Sequence, residues 1–150
     1  MRMVADTSAI VAAIIDTEPR HQDCLRVLTE ATRVFVTPQV ATEVFYLLTA
    51  VGHERAAESF LADIASGFFE SVNPDPADYQ VAGEVVARYR GVLKRKKPKS
   101  GRLDLADAMN VVAAARVETT ILATLDQDYR QLQPLGGLRH FSLLPDDCGY

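Results

Sequence analysis

The chain has 150 residues, 48% hydrophobic and 24% charged, which fits one globular domain spanning 1–150 and leaves no room for a second. No apolar run approaches the roughly 18 residues of a membrane span, and Asp6 interrupts the apolar opening MRMVADTSAIVAAII with no small-residue cleavage pattern after it, so a cytoplasmic protein with no membrane partner is expected. The net charge of -4 hides an asymmetry: residues 88–102 hold eight of the sixteen Lys and Arg and no acid, leaving 8 bases against 20 acids elsewhere.

In chain order, residues 2–5 read as a strand leading into Asp6, with Thr7 or Ser8 placed to cap a helix over 9–15. A helix is expected over about 19–31, then a β-rich run at 33–37, and Pro38 suits the first turn of a third helix that runs to Val51 and stops at Gly52. A helix over 53–66, a short strand at 68–72 and the Asn73, Pro74, Asp75, Pro76 break precede a long helix over 77–96. Beyond a basic loop come a helix at 104–116, an apolar strand at 120–125, a short helix at 127–132 and a last strand at 140–143. Short apolar strands alternating with helices, and few hairpin signals, predict an α/β domain: a mainly parallel sheet of about four or five strands covered on both faces.

Against that frame four acids stand out: Asp6, Glu43, Asp107 and Asp126. Asp6 and Asp126 each follow a predicted strand directly, at the end where open parallel sheets form their ligand crevice. Glu43 interrupts a helical stripe of Val40, Val44, Leu47, Leu48 and Val51, and Asp107 opens a helix whose next turns are almost wholly apolar. A carboxylate at an apolar position normally pairs with a cation, keeps to water or binds metal. Each also has a plainer reading: helix entry for Asp6, an Asx turn for Asp126, a salt bridge for Glu43, and an N-cap at Asp104 supported by Asp107 three positions on. Four separate plain readings are a weaker account than one shared site, and an all-oxygen site suits Mg²⁺ or Mn²⁺. His21, His53 and His140 are scattered, Cys24 and Cys148 lie in no metal-binding spacing, and Gly136-Gly137 is a turn rather than a nucleotide loop.

At VADTSAI, ATEVFYLL, LADAMNVVAAA and LATLDQDY the chain resembles the PIN-domain nucleases, and most closely the VapC-like toxins of bacterial toxin-antitoxin pairs. The order and spacing of the four segments carry the resemblance, which covers essentially the whole length. It implies a three-layer α/β/α domain and a metal-dependent endoribonuclease that uses Mg²⁺ or Mn²⁺, acts on RNA, is held inactive by a cognate antitoxin and is often a homodimer. Its acidic cluster falls on Asp6, Glu43, Asp107 and Asp126, with Asp104 and Asp128 auxiliary and Thr7, Ser8 and Thr124 as small polar neighbours. Within this resemblance Asp6 and Asp107 are the main ligands, and Glu43 and Asp126 complete the cluster. Two departures stand out: Asn110 occupies a position that is more often aliphatic, and the KRKKPKSGR stretch is unusually basic. Arg95, Lys96, Lys97, Lys99 and Arg102 of that stretch are candidate contacts to an RNA backbone, and a solvated face is the plainer reading.

Two other classes compete. An inactive PIN-like module would bind RNA or protein without cutting. A phosphoryl-accepting domain of receiver or haloacid-dehalogenase type would use a strand-end Asp as nucleophile, but no second acid follows Asp6 two residues on and no Lys follows the 120–125 strand. Phe45, Tyr46, Phe60, Phe68 and Phe69 are expected mainly in the core, with a dimer or antitoxin surface as the alternative.

Overall fold

The structure is a computed structural model that describes residues 1–91 and 103–148. The first strand, β1 (Arg2–Ala5), leads into α1 (Thr7–Ile14) and α2 (His21–Glu30), and β2 (Arg33–Val36) into α3 (Pro38–Ala50) and α4 (Glu54–Ser66). After β3 (Phe69–Ser71) and α5 (Pro76–Arg88), α6 (Leu105–Arg116) precedes β4 (Ile121–Ala123), a 3-10 turn at Gln127–Gln131, β5 (Ser142–Leu144) and a second 3-10 turn at Asp146–Cys148.

All strand pairings are parallel, in the order β3-β2-β1-β4-β5. Strand side chains alternate between the two faces. Met3, Ala5, Val34, Val36, Ala123 and Leu144 pack against α1 to α4, whereas Val4, Phe35, Leu122 and Leu143 pack against α5 and α6. Burial on both faces is why these strands read as continuous apolar runs, and the result is the expected three-layer α/β/α domain. Successive connections step from β1 outward to β3, then cross back to β4 on the other side. That reversal creates a crevice at the carboxyl ends of β1 and β4.

Several boundaries differ from expectation for local reasons. The helix expected over 77–96 ends at Arg88, where buried Tyr89 turns its hydroxyl to accept the Gln133 N–H at 2.9 Å and Gly91 follows at φ +72°. Its start is fixed by a reciprocal capping box between Asp75 and Asp78. Neither Thr7 nor Ser8 caps the first helix; both lie within α1, and Asp6 takes the N-cap position without a side-chain cap bond. Thr37 does cap α3, accepting from the Val40 N–H at 3.3 Å. The aromatic cluster divides, with Phe60 and Phe69 buried edge to face at 5.3 Å while Phe45, Tyr46 and Phe68 are exposed. Of the basic strip, Arg88 and Arg90 are exposed; Arg95, Lys96, Lys97, Lys99 and Arg102 lie outside the described residues. Among the described residues no helix is long and apolar enough to cross a membrane.

Candidate active site

Register places the acids. Val4 pairs with Leu122 and Ala5 with Ala123, and the Asp6 N–H donates to the Ala123 carbonyl at 2.9 Å. The residues just past both strand ends therefore share one crevice. Asp6 is 6% exposed and sits in a shell of neutral donors. Its Oδ2 accepts from the Ser8 hydroxyl at 2.9 Å and the Thr124 hydroxyl at 2.8 Å, and its Oδ1 accepts from the Asn110 amide at 3.2 Å. The Ser8 and Thr124 hydroxyls in turn accept the N–H groups of Leu125 (2.9 Å) and Asp126 (3.0 Å). Two small hydroxyls thus staple the first turn of α1 to the chain leaving β4.

Asp107 comes from the first turn of α6, 8% exposed, and its Oδ1 accepts from the Tyr129 hydroxyl at 3.1 Å. Burial first, and then the negative charge of Asp6, push its carboxyl up to about 7; Asp126 and Asp104 add in the same direction. Burial also raises Asp6, against the lowering effect of the Thr124 and Ser8 hydroxyls, and Asp126 reinforces the rise. Tyr129 is pushed well above its usual value by burial and by both carboxylates.

The other expected acids are more exposed. Glu43 lies on the solvent side of α3, because Val40, Val44 and Leu48 are buried whereas Leu47 and Val51 of the expected stripe are exposed. The idea of four carboxylates at costly apolar positions therefore holds for Asp6 and Asp107 only. Glu43 still reaches the crevice, its Oε2 accepting from the Thr7 hydroxyl at 2.8 Å. Half-buried Asp126 turns Oδ1 to the Asp128 N–H at 2.9 Å, which is the Asx turn foreseen as its plainer role, while its charge acts on Asp6 and Asp107. Asp104 is exposed at the N-cap of α6 and makes no side-chain cap bond. Asp104 thus takes the N-cap position and Asp107 the first turn, as the plainer reading had it, but without the side-chain bond of a capping box.

Two residues in the crevice escaped sequence reasoning as site residues. Tyr129, 1% exposed, places its hydroxyl 3.1 Å from Asp107 and 3.4 Å from Asp6. Asn110, also 1% exposed, donates to that hydroxyl at 2.8 Å and to Asp6. The available signal was a polar residue at 110 inside an apolar helix run, noticed only as a departure.

Residues 3–133 match the PIN domain family, and the chain is 34% identical over 148 residues to Ribonuclease VapC26 of Mycobacterium tuberculosis (strain ATCC 25618 / H37Rv), covering 95% of this chain and 100% of that protein. The chain belongs to the PIN domain family. Among solved structures, this PIN domain is similar to M. tuberculosis VapC20, a sarcin-ricin loop cleaving toxin, at a TM-score of 0.71 and 20% identity, covering 84% of this chain and 91% of that one. It is also similar to VapBC2 of Rickettsia felis bound to a DNA fragment from its promoter, at a TM-score of 0.64 and 16% identity, covering 95% and 98%. Both structural likenesses describe the fold.

Would a divalent ion suit this PIN domain? Among the described residues no three His, Cys, Asp or Glu side chains are drawn together tightly enough to form a finished cage. The carboxylates of Asp6 and Asp107 are nevertheless hard oxygen donors, and the charge of Asp6 raises the proton affinity of Asp107 across a shared crevice. That donor set fits a hard cation, which would relieve the repulsion between them.

Proposed function

We propose that this PIN domain is a Mg²⁺- or Mn²⁺-dependent endoribonuclease, the toxin of a toxin-antitoxin pair, acting on RNA and restrained by a protein antitoxin. The observation that carries this reading is the approach of Asp6 and Asp107 at the β1/β4 switch point, in a chain 34% identical to a ribonuclease. The VapBC assembly among the structural neighbours supports an antitoxin partner.

Asp6 and Asp107 would hold the ion, with Glu43 and Asp126 completing the set directly or through water. When bound there, a hard divalent ion supplies positive charge at the scissile phosphate and lowers the pKa of water. Ser8 and Thr124 hold Asp6 in one orientation through its Oδ2, and Thr7 holds Glu43 toward the same crevice. Glu43 and the partly exposed Asp126 would also help orient the attacking water. The basic residues at 95–99 and Arg102 would contact the RNA backbone, and a homodimer in the cytoplasm is the expected state.

The test is cleavage of total cellular RNA by purified wild type and Asp6→Ala, with Mg²⁺, with Mn²⁺ and with chelator. Metal-dependent cutting that disappears in the variant is the expected result. Equal cutting by both proteins would refute the carboxylate site, and no cutting by antitoxin-free wild type would favour the binding module.

A further inference from the structure

Tyr129 is fully enclosed, and a phenylalanine would fill the same volume without bringing a hydroxyl that must be satisfied away from water. The hydroxyl lies within reach of Oδ1 of both Asp6 and Asp107, at 3.4 and 3.1 Å. It carries one proton and faces two acceptors. Asn110 makes that arrangement definite. A carboxylate facing it accepts only, so the amide must turn its NH₂ toward Asp6, and its two hydrogens are then shared between Asp6 (3.2 Å) and the phenol oxygen (2.8 Å). On the far side the Thr37 hydroxyl approaches the amide oxygen at 3.5 Å. Three elements meet here: α6, the turn after β4 and the end of β1.

Resting on the metal-site reading above, we propose that Tyr129 and Asn110 are a positioning pair: held by Asn110, the Tyr129 hydroxyl ties the facing oxygens of Asp6 and Asp107 together and so sets the spacing at which they take up the ion. Neither residue touches substrate. The two act through the carboxylates, in the way that hydrogen-bond partners behind metal ligands set orientation and affinity. Asn110 at an otherwise apolar helix position and Tyr129 on the turn are then one feature: the amide requires an acceptor that the phenol provides.

The test is calorimetric titration of Mn²⁺ into the metal-free full chain for wild type, Tyr129→Phe, Asn110→Leu and the double variant, with urea unfolding of each in chelator. Tyr129→Phe and Asn110→Leu should each weaken Mn²⁺ binding about ten-fold, within the range seen for such outer partners. The double variant should be no worse than the poorer single variant, because residues acting as a unit are not additive. Variants that bind Mn²⁺ as wild type does, or more tightly, whatever their stability, would overturn the proposal, leaving the pair a structural feature. Wild type that takes up no Mn²⁺ would instead refute the metal site on which it rests. Should Tyr129→Phe fail to fold, Asn110→Leu makes the same comparison with an apolar residue of similar size.

Discussion

The replacement Asp107→Asn should stabilise the metal-free protein, and increasingly so as pH rises. The carboxyl stands at about 7 in the fold against an ordinary value of 3.8, a gap of about 3 units, or about 4 kcal/mol. The group is 8% exposed, so solvent screening does little to reduce this. Because the folded state keeps its proton to higher pH, it binds more protons than the unfolded chain throughout the interval between those two values. Stability therefore falls as pH rises through the interval, and the full penalty applies above about pH 7. From about pH 5 to about pH 8 this one group removes about 2–3 kcal/mol, or about 5–10 °C of Tm for a chain of this size. An asparagine occupies nearly the same volume, can still accept from Tyr129 and carries no charge. Urea unfolding of both proteins in chelator across that range, with their difference plotted against pH, isolates the effect because every other group is common to both. The difference should grow with pH by about 2–3 kcal/mol. Parallel curves would refute the assignment of Asp107 as a buried, electrostatically opposed carboxylate.

Thr124→Val removes a fully buried hydroxyl that donates to Asp6 and accepts the Asp126 N–H; leaving that N–H unsatisfied should cost about 1–3 kcal/mol in urea unfolding, and an unchanged midpoint would contradict the stapling role. Leu143→Ala, fully buried in β5 against the α5 and α6 layer, should cost about 2–5 kcal/mol by the same measurement. Mn²⁺ at a hundred times its dissociation constant should stabilise wild type by about 2.7 kcal/mol and leave Asp6→Ala unmoved, read as Tm in a thermal scan. Neutralising Lys96, Lys97 and Lys99 together should flatten the slope of log affinity for RNA against log salt by about 3, whereas an unaltered slope would make that strip a solvated surface.

Element order and the parallel sheet were legible because strands buried on both faces leave continuous apolar runs and because Pro38 and the 73–76 break mark helix starts directly. The convergence of Asp6 and Asp126 followed from strand-end position alone, once β1 and β4 were neighbours. Less legible was exposure on α3: five apolar residues at helical spacing suggested one buried face, yet helix packing covers only Val40, Val44 and Leu48, so Glu43 lies on the exposed side and meets the crevice only through Thr7. The stop of α5 at Arg88 was less legible because Gly91 is only a weak local signal, and the contact of Tyr89 to Gln133 that accompanies the stop is tertiary. Tyr129 was missed for a related reason, since a tyrosine three residues past a strand-end acid reads as ordinary core until α6 is seen to bring Asn110 and Asp107 to its hydroxyl.

The central position of β1 bears on when the candidate site can assemble during synthesis. This strand needs β2 on one side, which follows soon in the chain, and β4 on the other, which is made only after α6. Until then one edge of β1 is open, Asp6 lacks the Thr124 hydroxyl, and Tyr129 has not been translated. Pairing so distant in sequence forms late. The candidate site is thus assembled only once β1, α6 and the turn after β4 are all present, and a chain cut short of Tyr129 lacks it.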